Sequence, residues 1–369
     1  MKYRGYSDFS HGQTDRIGVL VTNLGTPDAP DTPSLRRYLK EFLADPRVVE
    51  VPRALWWLIL NGVILRIRPK RSAAAYKTVW TEQGSPLLFH TQEQAKQLQK
   101  SLAEEYGDDV VVRFAMRYGS PAMSDVIDEM LQSGVRKLVL FPLYPQYSGA
   151  TSGSTFDALA QEFMQRRWLP DFRFISHYHD DAGYIDACAQ QIESFWQQHG
   201  RPQKLIFSYH GVPKKYLTQG DPYHCECHKT SRLIAERLDL GKDDYLTTFQ
   251  SRFGREEWLQ PYTDETLKAL PDAGVKNVQV FCPGFSADCL ETIEEIGEEN
   301  REYFAEAGGE HYAYIPALNS TVEHINALTA IVKRELQGWS LDHDETARQR
   351  RAAARQQHYG ELNNPDEST

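Results

Sequence analysis

A histidine at the end of a predicted strand is the strongest candidate for chemistry in this sequence. His210 follows the apolar run Lys204–Tyr209, and Gly211 and Pro213 come soon after it. In open α/β sheets, ligands bind beyond the carboxyl ends of the strands. An imidazole at that edge can act as a base or as a metal ligand at neutral pH. The pattern therefore predicts a functional role for His210.

A row of carboxylates follows a second predicted strand. Glu291 lies in the first helical turn after Val278–Cys282, again at a carboxyl edge. Further acids share one side of the predicted helix at a spacing of three and four residues: Asp288, Glu295, Glu298 and Glu302. Such a row is either a solvated face or a path for a hard divalent cation. Like charges at this spacing destabilise a helix by roughly 0.2–0.5 kcal/mol per pair, which favours a function.

Three other segments give weaker signals. The segment 224–228 reads His-Cys-Glu-Cys-His, but no second cysteine pair stands at zinc-finger spacing, so a specific metal site is not predicted there. His177 and His179 close a predicted strand, and no role is assigned to them. The segment 149–155 opens a predicted helix and suits either an anion or a simple capped loop.

Short β-branched runs alternate with amphipathic stretches along the whole chain. Strands are predicted at Ile17–Asn23, Val110–Met116, Lys137–Phe141, Phe172–Ser176, Lys204–Tyr209, Tyr245–Gln250 and Val278–Cys282. Helices are predicted at Thr32–Ala44, Thr91–Glu105, Met123–Gly134, Thr155–Arg166, Tyr184–His199, Cys225–Leu238, Asp288–Ala307 and Thr321–Gln337. Parallel strands need crossover connections, so this alternation predicts an α/β protein with parallel sheets.

Three short matches recur in the same order in the two halves of the chain. The matching segments are 24–27 with 210–213, 114–119 with 249–254, and 134–142 with 274–283. The ordered set predicts two similar α/β domains. The interval from Gly25 to Gly119 is 94 residues against 43 from Gly211 to Gly254, so the first half carries about 51 additional residues. Part of this insert, 54–67, is apolar, which suits either a lip over a ligand or an extra core helix.

The net charge of -10 and the pI near 5.7 argue against a nucleic-acid binder that neutralises phosphates. The charge is also unevenly distributed. The stretch 47–77 holds seven Lys or Arg and one acid, whereas 284–310 holds nine acids and one base. The basic stretch carries flat apolar side chains such as Trp56, Trp57 and Tyr76. It suits a large flat ligand that bears carboxylates, while the acidic helix suits a cation.

Composition and local motifs exclude several other classes. With 41% hydrophobic and 25% charged residues, the chain has the composition of a globular protein. No apolar run reaches the roughly 20 residues of a membrane-spanning helix. Neither dinucleotide nor Walker-type phosphate motifs occur. The first sixteen residues lack the apolar core of a secretory signal. Five cysteines, an odd number, fit a reducing cytoplasm, so a cytoplasmic protein is expected.

From about Ile17 to Leu336 the chain resembles the ferrochelatase family, which inserts ferrous iron into protoporphyrin IX in the last step of haem synthesis. The most specific stretch is Leu-Ile-Phe-Ser-Tyr-His-Gly-Val-Pro at 205–213, followed by Gly-Asp-Pro-Tyr at 220–223. Supporting segments are 23–27, 84–87, 116–119, 144–148, 250–252 with Trp258, and 282–285 leading to Glu291.

The resemblance implies two Rossmann-like domains of the class II chelatase type, with a porphyrin cleft between them. It implies that His210 and Glu291 face each other across the porphyrin centre and handle the metal and protons. The row of acids on the predicted helix itself gives Asp288, Glu295 and Glu298 as the expected cation path. Porphyrin-lining positions are expected at Leu24, Tyr76, Arg117, Tyr147, Ser148 and Trp258. The expected organisation is a first domain over 16–167 with a hydrophobic lip at about 47–89, a second over 168–315, a helix over 316–337 packing back on the first domain, and a polar tail over 338–369.

Two positions depart from the family pattern. Many relatives have His two residues before the metal-site Glu, where this chain has Cys289. Relatives with a [2Fe–2S] cluster have Cys where this chain has Gly149, and no Cys follows Cys289. No cluster or other resident cofactor is therefore expected.

The expected partners are protoporphyrin IX and ferrous iron, with no nucleic acid. The lip is also a candidate for peripheral contact with the inner face of a membrane. No oligomeric state is predicted. Two alternatives stay open: a chelatase that prefers cobalt or coproporphyrin, and a non-catalytic two-lobed binding protein.

Overall fold

Two parallel four-stranded sheets form the frame of the molecule. The computed structural model describes residues 3–6, 15–254, 256–339 and 345–363. The first sheet has the order β2-β1-β3-β4, with β1 (Arg16–Thr26), β2 (Val110–Gly119), β3 (Val135–Pro142) and β4 (Asp171–Phe174). The second has the corresponding order β6-β5-β7-β8, with β5 (Lys204–His210), β6 (Tyr245–Gln250), β7 (Asn277–Phe281) and β8 (His311–Ile315). All neighbouring strands run parallel, so the prediction of two similar α/β halves is confirmed.

Helices connect and cover the strands. In the first half they are α1 (Thr32–Ala44), α2 (Arg53–Ile59), α3 (Leu65–Val79), α4 (Pro86–Tyr106), α5 (Met123–Gln132) and α6 (Ser154–Phe163). They continue with α7 (Ala182–His199), α8 (Lys214–Thr218), α9 (Tyr223–Arg237), α10 (Thr263–Ala269), α11 (Asn300–Glu306), α12 (Val322–Leu336) and α13 (Glu345–Asn363). Wider π-helical turns occupy Leu60–Ile64, Gly149–Gly153 and Glu291–Glu299, and a 3₁₀ turn spans Gly107–Asp109.

One apolar core runs through both halves. Val19 of β1 and Phe207 of β5 belong to the same buried cluster as Leu98 of α4, Ile192 of α7 and Leu328 of α12. Strands buried on both faces read as continuous apolar runs, which is why the sequence pattern located them. Helix α12 packs on α4 of the first half and on α7. The two sheets are therefore joined by shared packing.

The apolar insert forms a lip over α1. Its helices α2 and α3 are joined by the π turn 60–64, and their inner side chains Trp56, Leu65 and Tyr76 pack into a cluster with Leu35 of α1. Exposed apolar side chains cover the outer side: Leu55, Trp57, Leu58, Val63 and Ile67. The insert thus contributes buried helices to the core and also presents an apolar surface to solvent.

Three regions differ from the sequence-based expectation. Strand β8 was not predicted, because His311–Ile315 is a short aromatic edge strand without a β-branched run. The predicted helix Asp288–Ala307 begins as the π-helical segment 291–299 and becomes α-helical only at α11. The polar tail contains α13, while its residues 340–344 and 364–369 lie outside the described residues, as do 1–2 and 7–14 at the start. Among the described helices, none is long and apolar enough to cross a membrane.

Candidate active site

His210 is the last residue of β5 and lies next to Gln250, the last residue of β6. Its Nδ1 atom is 2.7 Å from the carbonyl oxygen of Gly211. A carbonyl can only accept a hydrogen bond, so Nδ1 carries the proton of the neutral ring. The free lone pair then belongs to Nε2. His210 is thus oriented to use Nε2 as a base or as a metal ligand.

Gly211 allows a close approach directly behind this histidine. A Cβ atom at this position would lie 2.8 Å from the carbonyl oxygen of Gln250 and 3.2 Å from the Trp258 ring. The Gly211 N–H donates to that same oxygen at 2.7 Å. Trp258, expected to line a porphyrin, is buried in contact with Gly211 and with the Phe253 ring. The structure therefore places Trp258 as a support beneath the His210 turn.

Gln250 links the position of His210 to the acidic helix. Its Nε2 donates to the backbone oxygen of Glu291 at 3.0 Å and lies 3.5 Å from Glu295 Oε2. The Ser251 hydroxyl also donates to Glu295 Oε2. The structure thus brings His210, Glu291 and Glu295 to one edge of the second sheet. Gln250 and Ser251 were missed as site residues, although the repeated segment 249–254 pointed to this strand end.

The carboxyl group of Glu295 has a raised pKa. Burial and the nearby charge of Glu291 raise the pKa of Glu295 to about 7, against the opposing hydrogen bond from Ser251. A carboxyl group of this kind is partly protonated at pH 7 and can exchange a proton for a cation. The negative charge of Glu291 therefore opposes ionisation of Glu295.

Asp288 and Glu298 are not brought into this pair. The Asp288 carboxylate accepts hydrogen bonds from the Tyr314 hydroxyl at 2.6 Å and from Asn319 Nδ2 at 2.7 Å. Glu298 is exposed and paired with Arg301. The i→i+5 bonds of the π-helix put more residues into each turn than an α-helix does. The α-helical spacing that aligned Glu298 with Glu291 therefore fails here.

The lip belongs to the first half and lies against Glu291 of the second half. Burial raises the pKa of Tyr76, and the charge of Glu291 adds to that shift. Burial lowers the pKa of Arg68, and Glu291 counteracts it. Leu290, next to Glu291, packs against the same apolar cluster as Tyr76 and Leu24. Tyr76 and Leu24 thus lie at the junction of the halves, and Arg68 is a lip cation that sequence reasoning did not single out.

Arg117 is held by the first half itself. Its Nη2 lies 2.5 Å from Asp45 Oδ2, and its Nε donates to the Ser154 hydroxyl at 2.7 Å. Burial opposes ionisation of Asp45, yet hydrogen bonds from Ser154 and Tyr118 lower its pKa overall. The guanidinium of Arg117 is therefore committed to a buried ion pair, and any ligand would share it with Asp45.

The loop of Tyr147 and Ser148 is fastened to the second half. The Tyr147 N–H donates to Glu226 Oε2 at 2.7 Å. The Ser148 hydroxyl is 3.4 Å from Asp221 Oδ2, and Ser148 also caps the π turn 149–153 by accepting from the Ala150 N–H. The structure therefore brings both residues to the junction between the halves.

Comparison with known proteins identifies the family. The model of the family described as Ferrochelatase matches residues 16–336. The chain belongs to the ferrochelatase family. A ferrochelatase of Idiomarina loihiensis is 68% identical over 352 residues, covering 95% of this chain and 97% of that protein. A ferrochelatase of Marinobacter nauticus is 68% identical over 341 residues, covering 92% of each chain.

Solved structures agree with this family at the level of the fold. CbiX, described as the terminal enzyme of siroheme biosynthesis in denitrifying bacteria, has a TM-score of 0.50 at 12% identity and covers 87% of this chain and 100% of its own. SirB from Bacillus subtilis with Fe3+ has a TM-score of 0.50 at 11% identity and covers 88% of this chain and 97% of its own. These likenesses support the α/β architecture alone.

Two features stand out within the ferrochelatase sequence pattern. Cys289 is buried, and burial with the adjacent Glu291 charge raises the pKa of its thiol. The histidine and cysteine side chains of the described segment 224–228 do not come together as one metal site. Its two histidine rings lie 4.5 Å apart beside Phe249, Cys227 is buried and Cys225 is exposed. Among the residues that the structure describes, Glu226 is the member of this segment that groups with other metal-ligand side chains.

Proposed function

We propose that the edge formed by His210, Glu291 and Glu295 is where this chain of the ferrochelatase family inserts ferrous iron into protoporphyrin IX to form protoheme. The observation that carries the proposal is the contact of Gln250 with both sides of the site. Its backbone pairs with His210, and its side chain holds the Glu291 backbone and the Glu295 carboxylate. An imidazole and two carboxylates therefore share one sheet edge, opposite the apolar lip.

The reaction requires removal of two protons from the centre of the macrocycle. Each of two pyrrole N–H groups loses its proton as ferrous iron binds the four nitrogens. His210 Nε2 has the free lone pair, so we assign it the role of base, passing each proton on to solvent. The same lone pair would suit a transient metal ligand. The fixed Nδ1 bond to Gly211 keeps the ring oriented throughout.

The carboxylates supply oxygen ligands for the arriving cation. Glu291 and Glu295 are the two that the π-helix holds together, so the proposed cation path runs through them. Asp288 is left out because its oxygens already accept hydrogen bonds from Tyr314 and Asn319. Glu298 is left out because it is exposed and paired elsewhere.

The lip supplies the surface for the macrocycle. Tyr76 and Leu24 offer apolar contact close to Glu291, and the Arg68 guanidinium lies in the same region. Arg68 is therefore the cation that we propose for a porphyrin carboxylate, since Arg117 is paired with Asp45. Tyr147, Ser148 and Trp258 then act mainly by fixing the loops around the cleft.

The test is anaerobic mixing of the protein with protoporphyrin IX and ferrous iron while the haem absorption spectrum is followed. We expect haem to form with wild-type protein, and Glu291→Gln to reduce the rate strongly without abolishing porphyrin binding. Glu298→Gln is the matched control, because it removes an exposed carboxylate seven residues along the same helix. Equal rates for Glu291→Gln and wild type would contradict the assignment. Faster insertion of cobalt, or into coproporphyrin, would favour the related chelatase reactions.

We also propose that the outer side of the lip contacts the inner face of a membrane. Exposed apolar residues stand beside basic ones there, which is the composition of an interfacial helix. Co-sedimentation with anionic phospholipid vesicles tests this. Ile67→Ser, at a residue 70% exposed, should weaken binding, whereas Met164→Ser, at a residue 66% exposed outside the lip, should not. Equal binding by both variants would contradict the proposal.

We propose that the chain works without a resident [2Fe–2S] cluster. Gly149 stands where cluster-bearing relatives have Cys, and the chain has no Cys beyond Cys289. The protein purified under anaerobic conditions should lack the visible absorption of such a cluster, and the presence of that absorption would overturn the proposal.

A further inference from the structure

Two histidines and a glutamate meet at a second place, between the halves. His177 and His179 lie in the segment between β4 and α7, and Glu226 lies on α9. His177 Nδ1 is 2.9 Å from Glu226 Oε1, and His179 Nδ1 is 3.4 Å from Glu226 Oε2. One atom from each side chain can be chosen so that all lie within 4.8 Å of one another.

The buried histidine has an unused nitrogen that points into this cluster. His179 is only 6% exposed, and its Nδ1 makes no hydrogen bond despite its distance of 3.4 Å from the carboxylate. Its other nitrogen, Nε2, faces Asp180 Oδ2 at 3.9 Å. Metal binding through Nδ1 requires the tautomer with the proton on Nε2, the nitrogen that faces the Asp180 carboxylate. A buried polar atom without a hydrogen-bond partner is uncommon, and a bound metal ion would give this nitrogen a partner.

The backbone around the cluster is held from two sides. The Tyr178 N–H donates to the Pro145 carbonyl at 2.8 Å, and the Thr230 hydroxyl donates to the His179 carbonyl at 2.8 Å. The side chains therefore start from fixed positions. Ligand atoms around tetrahedral zinc are about 3.3–3.5 Å apart for bonds of about 2.0–2.1 Å. The separations of 2.9 and 3.4 Å from Glu226 run to its two different oxygens, and the ligand atoms of the group all lie within 4.8 Å of one another. Gathering them around one ion therefore requires the widest separation to shorten by at most about 1.4 Å.

We propose that His177, His179 and Glu226 bind a divalent transition-metal ion of the zinc class, separate from the iron that the chain processes. Imidazole and carboxylate together suit such ions, and three protein ligands leave a fourth position for water. The half-exposed side chain of His177 gives that position access to solvent.

The bound metal would fasten a loop of the porphyrin site. Glu226 Oε2 accepts the Tyr147 N–H at 2.7 Å, so the carboxylate of the metal site also holds the loop that carries Tyr147 and Ser148. A metal that binds only the folded state stabilises it by mass action. The site thus acts on the junction between α9, the segment after β4 and this loop.

Zinc titration of the full-length protein tests the proposal. The measurement uses metal-free protein with His210→Ala and Glu291→Gln, which removes the proposed iron site, and a chromophoric chelator as competitor. We expect one equivalent of zinc to bind. Adding His177→Gln should weaken that binding about 100-fold or more, because loss of even a ligand's hydrogen-bond partner costs 10–100-fold. His199→Gln, at an exposed histidine of α7, is the control and should change nothing.

A second measurement separates ligation from folding. His177 is half exposed, so His177→Gln should keep the unfolding midpoint of the metal-free protein. His177→Cys keeps a zinc ligand and should restore binding, with a cobalt(II) charge-transfer band from the thiolate. Failure of the background protein to bind zinc, or equal affinity with and without His177→Gln, would overturn the proposal. Neither result bears on iron insertion, since that site is removed beforehand.

Discussion

The two halves share a strand order but end their first strands differently. In the first half, β1 reaches Leu24 and Gly25, and in the second β5 ends at His210 before Gly211. Both glycines are needed for close backbone approach: a Cβ would lie 1.8 Å from the Tyr118 oxygen at Gly25 and 2.8 Å from the Gln250 oxygen at Gly211. The repeated scaffold therefore presents an apolar side chain in one half and an imidazole in the other.

The charged segments follow the same division. The stretch 47–77 of the first half is basic and apolar, whereas 284–310 of the second is acidic. Gln250 and Ser251 hold the acidic segment at the carboxyl edge of the second sheet. Under the proposed function, the first half would grip a flat, carboxylate-bearing ligand and the second would perform the metal and proton chemistry.

Exchange of the two end residues gives the largest expected effect. His210→Leu gives the second half the side chain of the first, and we expect iron insertion to slow by about 10²–10⁴-fold, the usual contribution of a general base. Porphyrin binding should stay close to that of wild type. Adding Leu24→His should not restore activity, because the carboxylates lie in the second half. Rates are measured by haem formation, and recovery in the double variant would break the proposed division.

Each half also has a buried aspartate that anchors its part of the site. Asp45 is the ion-pair partner of Arg117, whose side chain is 16% exposed. We expect Asp45→Ala to lower the free energy of unfolding by about 3–5 kcal/mol, because it leaves a buried charge unpaired. Asp288 is anchored mainly by neutral donors such as Tyr314 and Asn319, so Asp288→Ala should cost about 1–3 kcal/mol. Denaturant unfolding measures both, and the reverse order would contradict this assignment.

The pH dependence of metal binding tests the acidic half alone. Because the pKa of Glu295 is raised to about 7, its proton must leave before the carboxylate can bind a cation. Affinity of the His210–Glu291 site for ferrous iron should therefore rise by up to about tenfold per pH unit below pH 7 and level off above it. Glu295→Gln should weaken metal binding more than porphyrin binding and reduce this slope. A greater loss of porphyrin binding than of metal binding would contradict the proposed cation path.

The raised pKa of Glu295 also predicts how the stability of the protein changes with pH. In the metal-free protein the folded state holds the Glu295 proton up to about pH 7, whereas the unfolded chain releases it near the ordinary value of about 4.5. The folded state therefore binds more protons between these values, and this group's stabilising contribution falls as pH rises through that window. The unfolding midpoint of Glu295→Gln should decline less over that range than that of wild type. An identical decline would contradict the raised pKa.

Local sequence patterns predicted the strands and helices better than they predicted the side-chain contacts of the site. Helix α1 was bounded correctly because Asp31 caps it by accepting the Ser34 N–H, a signal within four residues. The π-helical segment at Glu291 was read as α-helix because its acids repeat at α-helical spacing. The cluster of His177, His179 and Glu226 joins Glu226 to two histidines that lie 47 and 49 positions earlier in the chain, so no local spacing could reveal it. Tertiary packing also decides that Asp288 is an anchor and that Arg117 is already paired.

The smallest expected effect concerns the apolar half. Leu24 packs both with the lip cluster around Tyr76 and with the cluster around Cys289, so it contacts both halves. Leu24→Ala removes part of this surface without touching an ionisable group. Loss of porphyrin contact by one or two carbon groups at about 0.8 kcal/mol each predicts a rise in KM for porphyrin of up to roughly tenfold, with little change in kcat. A selective fall in kcat would instead place Leu24 in the chemical step and break the division between a gripping half and a reacting half.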